Sequence, residues 1–302
     1  MTIALALDSL ERVILGKPRQ IRLALACLLA RGHLLIEDVP GVGKTTLAHA
    51  LAQVLGLSWQ RVQFTSDLLP ADILGVAVFD RATQRFEYRR GPIFTQLLLA
   101  DEVNRASPRT QSALLEAMEE RQVSIDGVAH ELPAPFFVVA TQNPHEQLGT
   151  YALPESELDR FLMRIELGYP ERGEERVLLR ESAQRRRGVD AASALSADAV
   201  LALQRDVAQV HVADALLDYV QDLVSASRRD ADVRLGLSPR AGQGLVQAAR
   251  AWALLRGAGF VTPDDVQAVW PAVAAHRLEA RQGIRTGAEL ARALLQTVPV
   301  PD

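Results

Sequence analysis

Between residues 33 and 167, short apolar runs alternate with stretches whose apolar residues recur every three or four positions. The apolar runs cover residues 33–37, 60–64, 97–100, 136–140 and 162–167. Runs of this length between polar loops predict buried strands, and their alternation with helical stretches predicts a largely parallel sheet with helices on both faces. This part of the chain is therefore expected to form an α/β domain.

The pattern changes near residue 171, where the strand signals end. Leu, Ala, Val and Arg then recur at helical spacing, as in residues 241–257, which predicts an all-helical region. We therefore expect two domains, an α/β domain over residues 1–169 and a helical domain over residues 170–302.

Two stretches inside the α/β part have the pattern of hairpins. Residues 75–90 alternate apolar and polar positions around the turn 80–84, and residues 122–132 contain Asp126-Gly127 between alternating positions. Alternation on both sides of a turn-forming segment predicts two antiparallel strands. We therefore expect two hairpin insertions in this domain.

The segment after the first predicted strand has the composition of a phosphate-binding loop. Its residues are Pro40, Gly41, Val42, Gly43, Lys44, Thr45 and Thr46, followed by a helical stretch. Glycines let main-chain N–H groups approach a phosphate closely, and the start of a helix attracts an anion. Lys44 is expected to reach the β- and γ-phosphates of a nucleotide, and Thr45 to offer its hydroxyl to Mg²⁺. Asp38 departs from the strict motif, which has glycine there, and a simple turn is the alternative interpretation.

Two acidic residues directly follow the apolar run 97–100. Asp101 and Glu102 thus lie at the C-terminal end of a predicted strand, at the edge where open α/β sheets bind ligands. Asp101 is expected to hold magnesium, directly or through water, and Glu102 to activate a water molecule. A helix-capping turn is the alternative interpretation of this pair.

Three further polar residues are candidates for contact with a γ-phosphate. Asn143 follows the apolar run 136–140, Arg160 precedes the last predicted strand, and Arg240 opens a predicted helix. An amide can place an attacking water, and an arginine stabilises charge on the equatorial phosphate oxygens. An Asn-Pro turn and surface arginines are the structural alternatives.

Composition narrows the classes of protein that this chain can belong to. The 302 residues are 48% hydrophobic and 23% charged, which is globular usage, and a single cysteine, Cys27, excludes an internal disulfide framework. The net charge of −4 argues against a nucleic-acid partner. No apolar run approaches the roughly 18 residues of a membrane span, so we expect no span and a cytoplasmic protein. Cys27 is expected to be a buried packing residue.

Taken together, these segments resemble the AAA+ ATPases and, within them, the MoxR family. The resemblance covers nearly the whole chain, and its most specific pieces are EDVPGVGKT, QFTSDLLPADILG, GPIFTQLLLADEVNRASPRTQSALLEAMEERQV, VVATQNPHEQLGTYALPESELDRF, SPRA and VTPDDV. Family members also tend to carry Asp at the position of Asp38. The resemblance implies a P-loop domain with a parallel five-stranded sheet flanked by helices, followed by a C-terminal all-helical lid.

The resemblance also implies roles for individual residues. The matching elements are the Walker A loop (Gly41 to Thr46), Walker B (Asp101 and Glu102), sensor 1 (Asn143), the arginine finger (Arg160), sensor 2 (Arg240) and the segment that lines the adenine pocket (Ile14, Leu15 and Gly16). In this family the arginine finger acts on the nucleotide of the neighbouring subunit, and sensor 2 reaches the nucleotide from the lid. Core packing before a turn is the alternative for the adenine segment.

The activity implied by the resemblance is Mg²⁺-dependent hydrolysis of ATP by a homo-oligomer, in this family a hexameric ring. The implied role is that of a chaperone that remodels or activates partner proteins, often proteins with a von Willebrand factor A domain. The two hairpins would then face the central pore or a partner, and a passive β-arm is their alternative. Three other functions stay open: a nucleotide-switched assembly scaffold with slow hydrolysis, a chelatase-type motor and a motor that acts on nucleic acid.

Overall fold

The computed structural model describes residues 3–144, 149–185, 195–281 and 285–301, so that residues 145–148 of one quoted motif lie outside the described residues. The chain forms two compact units, each made of several segments. The first unit comprises Met1–Lys17, Leu35–Arg160 and Glu166–Ala197. The second unit comprises Pro18–Leu34, Phe161–Ile165 and Asp198–Asp302.

Helices occur in both units. In chain order they are α1 (Ile3–Val13), α2 (Pro18–Leu29), α3 (Lys44–Val54), α4 (Pro70–Leu74), α5 (Pro108–Glu120), α6 (Glu155–Leu158), α7 (Arg172–Arg185), α8 (Ala197–Gln209), α9 (Asp214–Arg229), α10 (Pro239–Leu255), α11 (Pro263–Ala274) and α12 (Gly287–Thr297). A short 3₁₀ turn spans Val103–Arg105. Within the described ranges, every helix is too short or too polar to cross a membrane.

The strands form one larger sheet and several two-stranded pairs. In chain order they are β1 (Leu34–Glu37), β2 (Trp59–Gln63), β3 (Gly75–Asp80), β4 (Arg85–Arg90), β5 (Leu97–Asp101), β6 (Gln122–Ile125), β7 (Val128–Glu131), β8 (Phe137–Gln142), β9 (Met163–Ile165), β10 (Val233–Leu235) and β11 (Glu279–Ala280). The larger sheet has the order β2-β5-β8-β1-β9, and β5 runs parallel to both of its neighbours. The predicted five-stranded α/β architecture is confirmed.

Each of the five apolar runs identified in the sequence forms a strand of this sheet. Strand β5 is buried at all five positions, and β8 is buried at five of its six. Full burial explains why these strands are continuous apolar runs rather than alternating ones, since helices cover both faces of a parallel sheet. The strands carry the polar residues of the candidate site at their ends.

Two antiparallel strand pairs lie within the two stretches of alternating residues. Strands β3 and β4 pair antiparallel, from Gly75 opposite Arg90 to Asp80 opposite Arg85. Strands β6 and β7 also pair antiparallel, and Asp126 and Gly127 form the turn between them. The two hairpins touch through aromatic rings, because the ring centroids of Tyr88 and His130 lie 4.4 Å apart.

The second unit is mainly helical, which confirms the helical character predicted for the C-terminal part. Helix α10 packs against α2, α9 and α11. The side chain of Trp270, on α11, is fully buried, and its indole N–H donates a 2.7 Å hydrogen bond to the carbonyl of Ala291 on α12. One difference from an all-helical region is the antiparallel pair β10–β11. These strands have only three and two residues, too few for a period-two pattern to be visible in the sequence.

The compact units are not divided at the single boundary after residue 169 that the sequence suggested. Helix α2 belongs to the second unit although it precedes β1, because it packs against α10 and β9. Seven consecutive residues of α2, from Leu23 to Leu29, are buried in this packing. Cys27 is among them, and burial raises the pKa of its thiol. It is a packing residue, as its surroundings in the sequence predicted.

Candidate nucleotide-binding site

A tight loop connects β1 to α3. It runs from Asp38 to Gly43, and α3 begins at Lys44. Gly41 and Gly43 have φ angles of 85° and 100°, in the left-handed region that glycine adopts without steric cost. Among the described residues, no atom lies within 4 Å of the place where a Cβ would stand on either glycine. The loop is therefore open at both glycines, and its conformation depends on them.

Lys44 lies at the N-terminus of α3 and folds back over the loop. Its Nζ donates a hydrogen bond of 2.5 Å to the main-chain oxygen of Asp38. Burial lowers the pKa of Lys44 below its ordinary value, while the charges of Asp38, Asp101 and Glu102 act in the opposite direction. The lysine predicted to bind phosphate thus lies within electrostatic reach of both carboxylates predicted to act with it.

Asp101 ends β5, and residues from both neighbouring strands hold its carboxylate. Its Oδ1 accepts a 2.6 Å hydrogen bond from the hydroxyl of Thr141 on β8. Its Oδ2 accepts hydrogen bonds from Nε and Nη2 of Arg61 on β2, at 3.1 and 2.7 Å. Because β5 lies between β2 and β8, the carboxylate is fixed from both sides at the C-terminal edge of the sheet.

Glu102 follows β5 in a left-handed backbone conformation, with φ 57° and ψ 49°. Its main-chain N–H donates to the hydroxyl oxygen of Thr141 at 2.9 Å. Its Oε2 accepts a 2.7 Å hydrogen bond from Nε2 of Gln63 and forms an ion pair with Nε of Arg105 at 3.0 Å. Non-glycine residues in this conformation are uncommon and concentrate at functional sites.

Asn143 and Arg160 have different relations to this cluster. Asn143 directly follows β8, the neighbour of β5 in the sheet, so it lies at the same edge as Asp101. Arg160 lies just after α6 and forms an ion pair with Glu119 on α5, at 3.2 Å. Within the described residues of the first unit, Arg160 therefore pairs with Glu119 and not with the acids that end β5.

The remaining candidates lie at the beginnings and ends of helices. Ile14, Leu15 and Gly16 follow α1; Ile14 is buried, and Gly16 has a φ of 69°. Arg240 is an exposed residue in the first turn of α10, in the second unit. That helix is capped by the Ser238 hydroxyl, which accepts a hydrogen bond from the main-chain N–H of Ala241 at 3.1 Å. The nucleotide contacts expected of these four residues stay predictions.

Several residues that hold the candidate site were not singled out in the sequence. They are Arg61, Gln63, Arg105, Glu119 and Thr141. Positions 61 and 63 are polar in an otherwise strand-like segment, which places both on one face of β2. Only the sheet order reveals their neighbours, because it puts β2 beside β5 and Gln63 opposite Asp101.

The chemistry of these residues fits a magnesium nucleotide. The open loop at Gly41 and Gly43 allows main-chain N–H groups to approach phosphate oxygens. The hydroxyl of Thr45 and the carboxylate of Asp101 are oxygen donors of the kind that Mg²⁺ prefers. The contacts of Asp101 with Arg61 and Thr141 leave acceptor capacity for a metal-bound water, because each carboxylate oxygen accepts more than one hydrogen bond.

Comparison with known proteins identifies the family of both the α/β part and the helical part of the chain. The family model for the ATPase family associated with various cellular activities (AAA) matches residues 33–163, and the model for the AAA lid domain matches residues 225–297. A crystal structure of a protein from Cytophaga hutchinsonii that carries an ATPase designation superposes with a TM-score of 0.91. It is 32% identical, and the match covers 99% of this chain and 95% of that one.

Three relatives indicate to which family of AAA ATPases this chain belongs. Chaperone MoxR1 of Mycobacterium tuberculosis is 43% identical over 92% of this chain and 75% of its own length. Protein MoxR of Paracoccus denitrificans is 36% identical over 97% of this chain and 94% of its own length. Uncharacterized protein YeaC of Bacillus subtilis is 45% identical over 98% and 94%. The chain belongs to the MoxR family of AAA+ ATPases.

Proposed function

We propose that this protein hydrolyses ATP with Mg²⁺ in a homo-oligomeric, hexameric ring. Its task is that of a chaperone that remodels or activates partner proteins, including proteins with a von Willebrand factor A domain. One observation carries the ATPase part of this proposal: the phosphate-binding loop and Asp101 are hydrogen-bonded to adjacent residues at the C-terminal edge of the sheet. The N–H of Asp38 donates to the carbonyl of Gln142, and the hydroxyl of Thr141 donates to Asp101. Open α/β sheets bind their ligands at this edge.

In the proposed chemistry, each residue of the candidate site has a separate role. Main-chain N–H groups of the loop and the ammonium of Lys44 bind the phosphates. Glu102 accepts a proton from a water whose oxygen attacks the γ-phosphorus, the bond to the bridging oxygen breaks, and ADP leaves with the bonding pair. Thr45 and Asp101 would hold Mg²⁺, whose positive charge would stabilise the phosphate oxygens.

The proposal also assigns roles to the remaining candidate residues. Asn143 orients the attacking water, and Ile14 to Gly16 contact the adenine. Arg240 reaches the nucleotide from the lid, and Arg160 acts on the nucleotide of the neighbouring subunit. The partly exposed side chain of Arg160 supports a role toward a second subunit, because 30% of its surface is accessible in a single chain.

The chaperone role is supported by the family and by an exposed aromatic pair on the first hairpin. Phe79 and Phe86 lie opposite each other on β3 and β4, with ring centroids 5.3 Å apart in an edge-to-face arrangement. They are 48% and 72% exposed. Aromatic side chains are enriched at protein–protein interfaces, so we assign this pair to contact with a partner.

Phosphate release with and without a metal chelator tests the ATPase. We expect turnover with Mg²⁺ and none with excess chelator. Lys44→Ala should bind nucleotide weakly, because it removes the charged group that reaches the phosphates, whereas Arg85→Gln removes a charge from the exposed hairpin and should bind normally. Equal nucleotide affinity in Lys44→Ala and the unmodified protein would contradict the loop assignment.

The chaperone role is tested by activation of a purified protein with a von Willebrand factor A domain. Activation that needs turnover is expected, so Glu102→Gln should bind ATP and the partner without activating it. Full activation by Glu102→Gln would instead support the assembly scaffold with slow hydrolysis. Added DNA or RNA should leave the ATPase rate unchanged, since the net charge of −4 gives no general affinity for phosphate backbones.

A further inference from the structure

Asp38 is the residue of the phosphate-binding loop that departs from the strict motif, and none of the roles above uses its side chain. The residue is only 9% exposed. Its Oδ2 accepts hydrogen bonds from the main-chain N–H groups of Leu167 and Gly168, both at 2.7 Å. Its Oδ1 accepts another from the N–H of Val39 at 2.8 Å. One carboxylate therefore binds three main-chain donors, two of them far away in the sequence.

The main chain of Asp38 makes two more connections within the candidate site. Its N–H donates to the carbonyl of Gln142, at the end of β8, at 3.2 Å. Its carbonyl accepts the hydrogen bond from Lys44. A glycine at this position would keep both main-chain contacts and lose all three contacts of the carboxylate.

The chain that follows Leu167 and Gly168 leads to the predicted adenine segment. The carbonyl of Tyr169 accepts a 2.8 Å hydrogen bond from Nζ of Lys17, the residue after Gly16. Further along, the carboxylate of Glu174 occupies the place where a Cβ would stand on Gly16. Residues 167–174, which we call the strap, thus contact the phosphate-binding loop at one end and the adenine segment at the other.

The contact between Asp38 and the strap is costly to remove. Leu167 is 2% exposed, and a buried main-chain N–H needs an acceptor. Hydrogen bonds to an ionised carboxylate are also stronger than those between neutral groups. Without the carboxylate, the main-chain N–H groups of Val39, Leu167 and Gly168 lose their acceptor.

We propose that Asp38 is a positioning residue that couples the phosphate-binding loop to the adenine segment through the strap. The coupling holds the two ends of a bound nucleotide at a fixed separation. It rests on the nucleotide site proposed above. It also accounts for the departure from the motif: Gly41 and Gly43 supply the open face of the loop, and the residue at 38 anchors its beginning.

The test compares ADP, which has both ends, with inorganic pyrophosphate, which has only the phosphate end. Calorimetry with Mg²⁺ measures both affinities in the unmodified protein, in Asp38→Gly, which restores the strict motif, and in the nearly isosteric Asp38→Asn. We expect ADP to bind about 10-fold more weakly or worse in both variants, since charge-assisted hydrogen bonds are lost. Pyrophosphate should weaken much less, so the preference for ADP should shrink.

One further variant tests the other end of the strap, and another serves as the control. Lys17→Met breaks the other end of the strap and should weaken ADP while leaving pyrophosphate unchanged. Asp72→Asn removes a carboxylate that accepts the main-chain N–H of Leu69 at 2.9 Å outside the site, and it should leave both affinities unchanged. Hydrogen exchange of a peptide covering Leu167 and Gly168, measured without ligand, should be faster in both Asp38 variants.

Several results would contradict the proposal. Unchanged ADP affinity in Asp38→Gly, or unchanged exchange at Leu167 and Gly168, overturns the proposal. Equal weakening of ADP and pyrophosphate also overturns it, because Asp38 would then shape only the loop. If Asp38→Gly does not fold, Asp38→Asn carries the test. An unmodified protein that binds ADP no better than Lys44→Ala overturns the proposed site itself, together with the coupling.

Discussion

The backbone conformation of Glu102 allows one face of β2 to hold the carboxylates of both Asp101 and Glu102. In a continuing strand, Asp101 and Glu102 would point to opposite faces of the sheet. The left-handed conformation of Glu102 ends that alternation. Both carboxylates are consequently held by side chains from a single face of β2, Asp101 by Arg61 and Glu102 by Gln63. This arrangement keeps side by side the two carboxylates to which we assign metal binding and proton transfer.

Replacing Glu102 with Gln separates binding from hydrolysis. The amide has nearly the same size and can still contact Gln63, but it cannot accept the proton of the attacking water. We expect ATP affinity close to that of the unmodified protein and a fall in turnover of about 10²- to 10⁴-fold, the usual contribution of a general base. Phosphate release and equilibrium binding measure the two quantities. Glu87→Gln, on the exposed hairpin, is the control, and turnover within threefold of normal in Glu102→Gln would remove Glu102 from the mechanism.

His276 should make the stability of the second unit depend on pH. The residue is buried, its Nε2 lies 3.0 Å from the carbonyl oxygen of Phe161, and burial, aided by the charge of Arg277, lowers its pKa well below the ordinary value. Below about pH 6.5 the unfolded chain binds a proton on this ring and the folded chain does not. The free energy of unfolding should therefore fall on acidification, by at most about 1.4 kcal/mol per pH unit from this group.

Urea unfolding at pH 5.5 and 7.5 measures this effect. His276→Gln should reduce the difference in unfolding free energy between the two pH values, whatever its effect on absolute stability. His211→Gln, which removes an exposed histidine, should leave the difference as it is. A pH dependence that is the same in His276→Gln and the unmodified protein would show that another group causes it.

At the scale of elements, the sequence predicted what depends on local pattern. The central strands β5 and β8 were visible because burial on both faces makes them continuous apolar runs. The hairpins were visible because alternation flanks their turns. Sheet order and long-range packing were not visible, so the contacts of Arg61 and Gln63 with the acids of β5, and the position of α2 beside α10, appeared only in the structure.

Helix α5 holds the segment that carries Arg160 at two points. Glu119 forms an ion pair with Arg160 at 3.2 Å, and the Ser112 hydroxyl donates to Glu157 at 2.8 Å. Both members of the ion pair are about one-third exposed, and such pairs contribute at most about 1 kcal/mol. We therefore expect Glu119→Gln to lower kcat about two- to fivefold with KM unchanged. Arg160→Ala, which removes the group itself, should lose about 10³-fold or more.

The matched control for this experiment is Glu116→Gln, an exposed position on the same helix. It removes the same charge without touching Arg160, and its turnover should be normal. A loss in Glu119→Gln as large as that in Arg160→Ala would mean that Glu119 does more than orient the arginine. Equal losses in Glu119→Gln and Glu116→Gln would mean that only the charge of α5 matters.

For the whole molecule, the family could be predicted from the sequence because its motifs are local. The phosphate-binding loop, the acids after β5, the polar end of β8 and the start of α10 each occupy a few consecutive residues. The working assembly has no such signature, since an interface between subunits is not encoded in adjacent positions. Arg160 illustrates this limit: its contact with Glu119 lies within one chain, whereas its proposed contact with nucleotide needs two.

Mixing two inactive variants tests whether one active site is built from two subunits. Lys44→Ala lacks phosphate binding and Arg160→Ala lacks the arginine, so each alone should be inactive. In a closed ring with head-to-tail contacts, a working site needs an intact Lys44 in one subunit and an intact Arg160 in the next. Random assortment of equal amounts makes about one site in four complete, so the mixture should recover about a quarter of normal turnover. Mixing Lys44→Ala with the double variant Lys44→Ala/Arg160→Ala completes no site and should stay inactive. If tagged subunits co-purify in the first mixture and no turnover returns, Arg160 does not act across the interface.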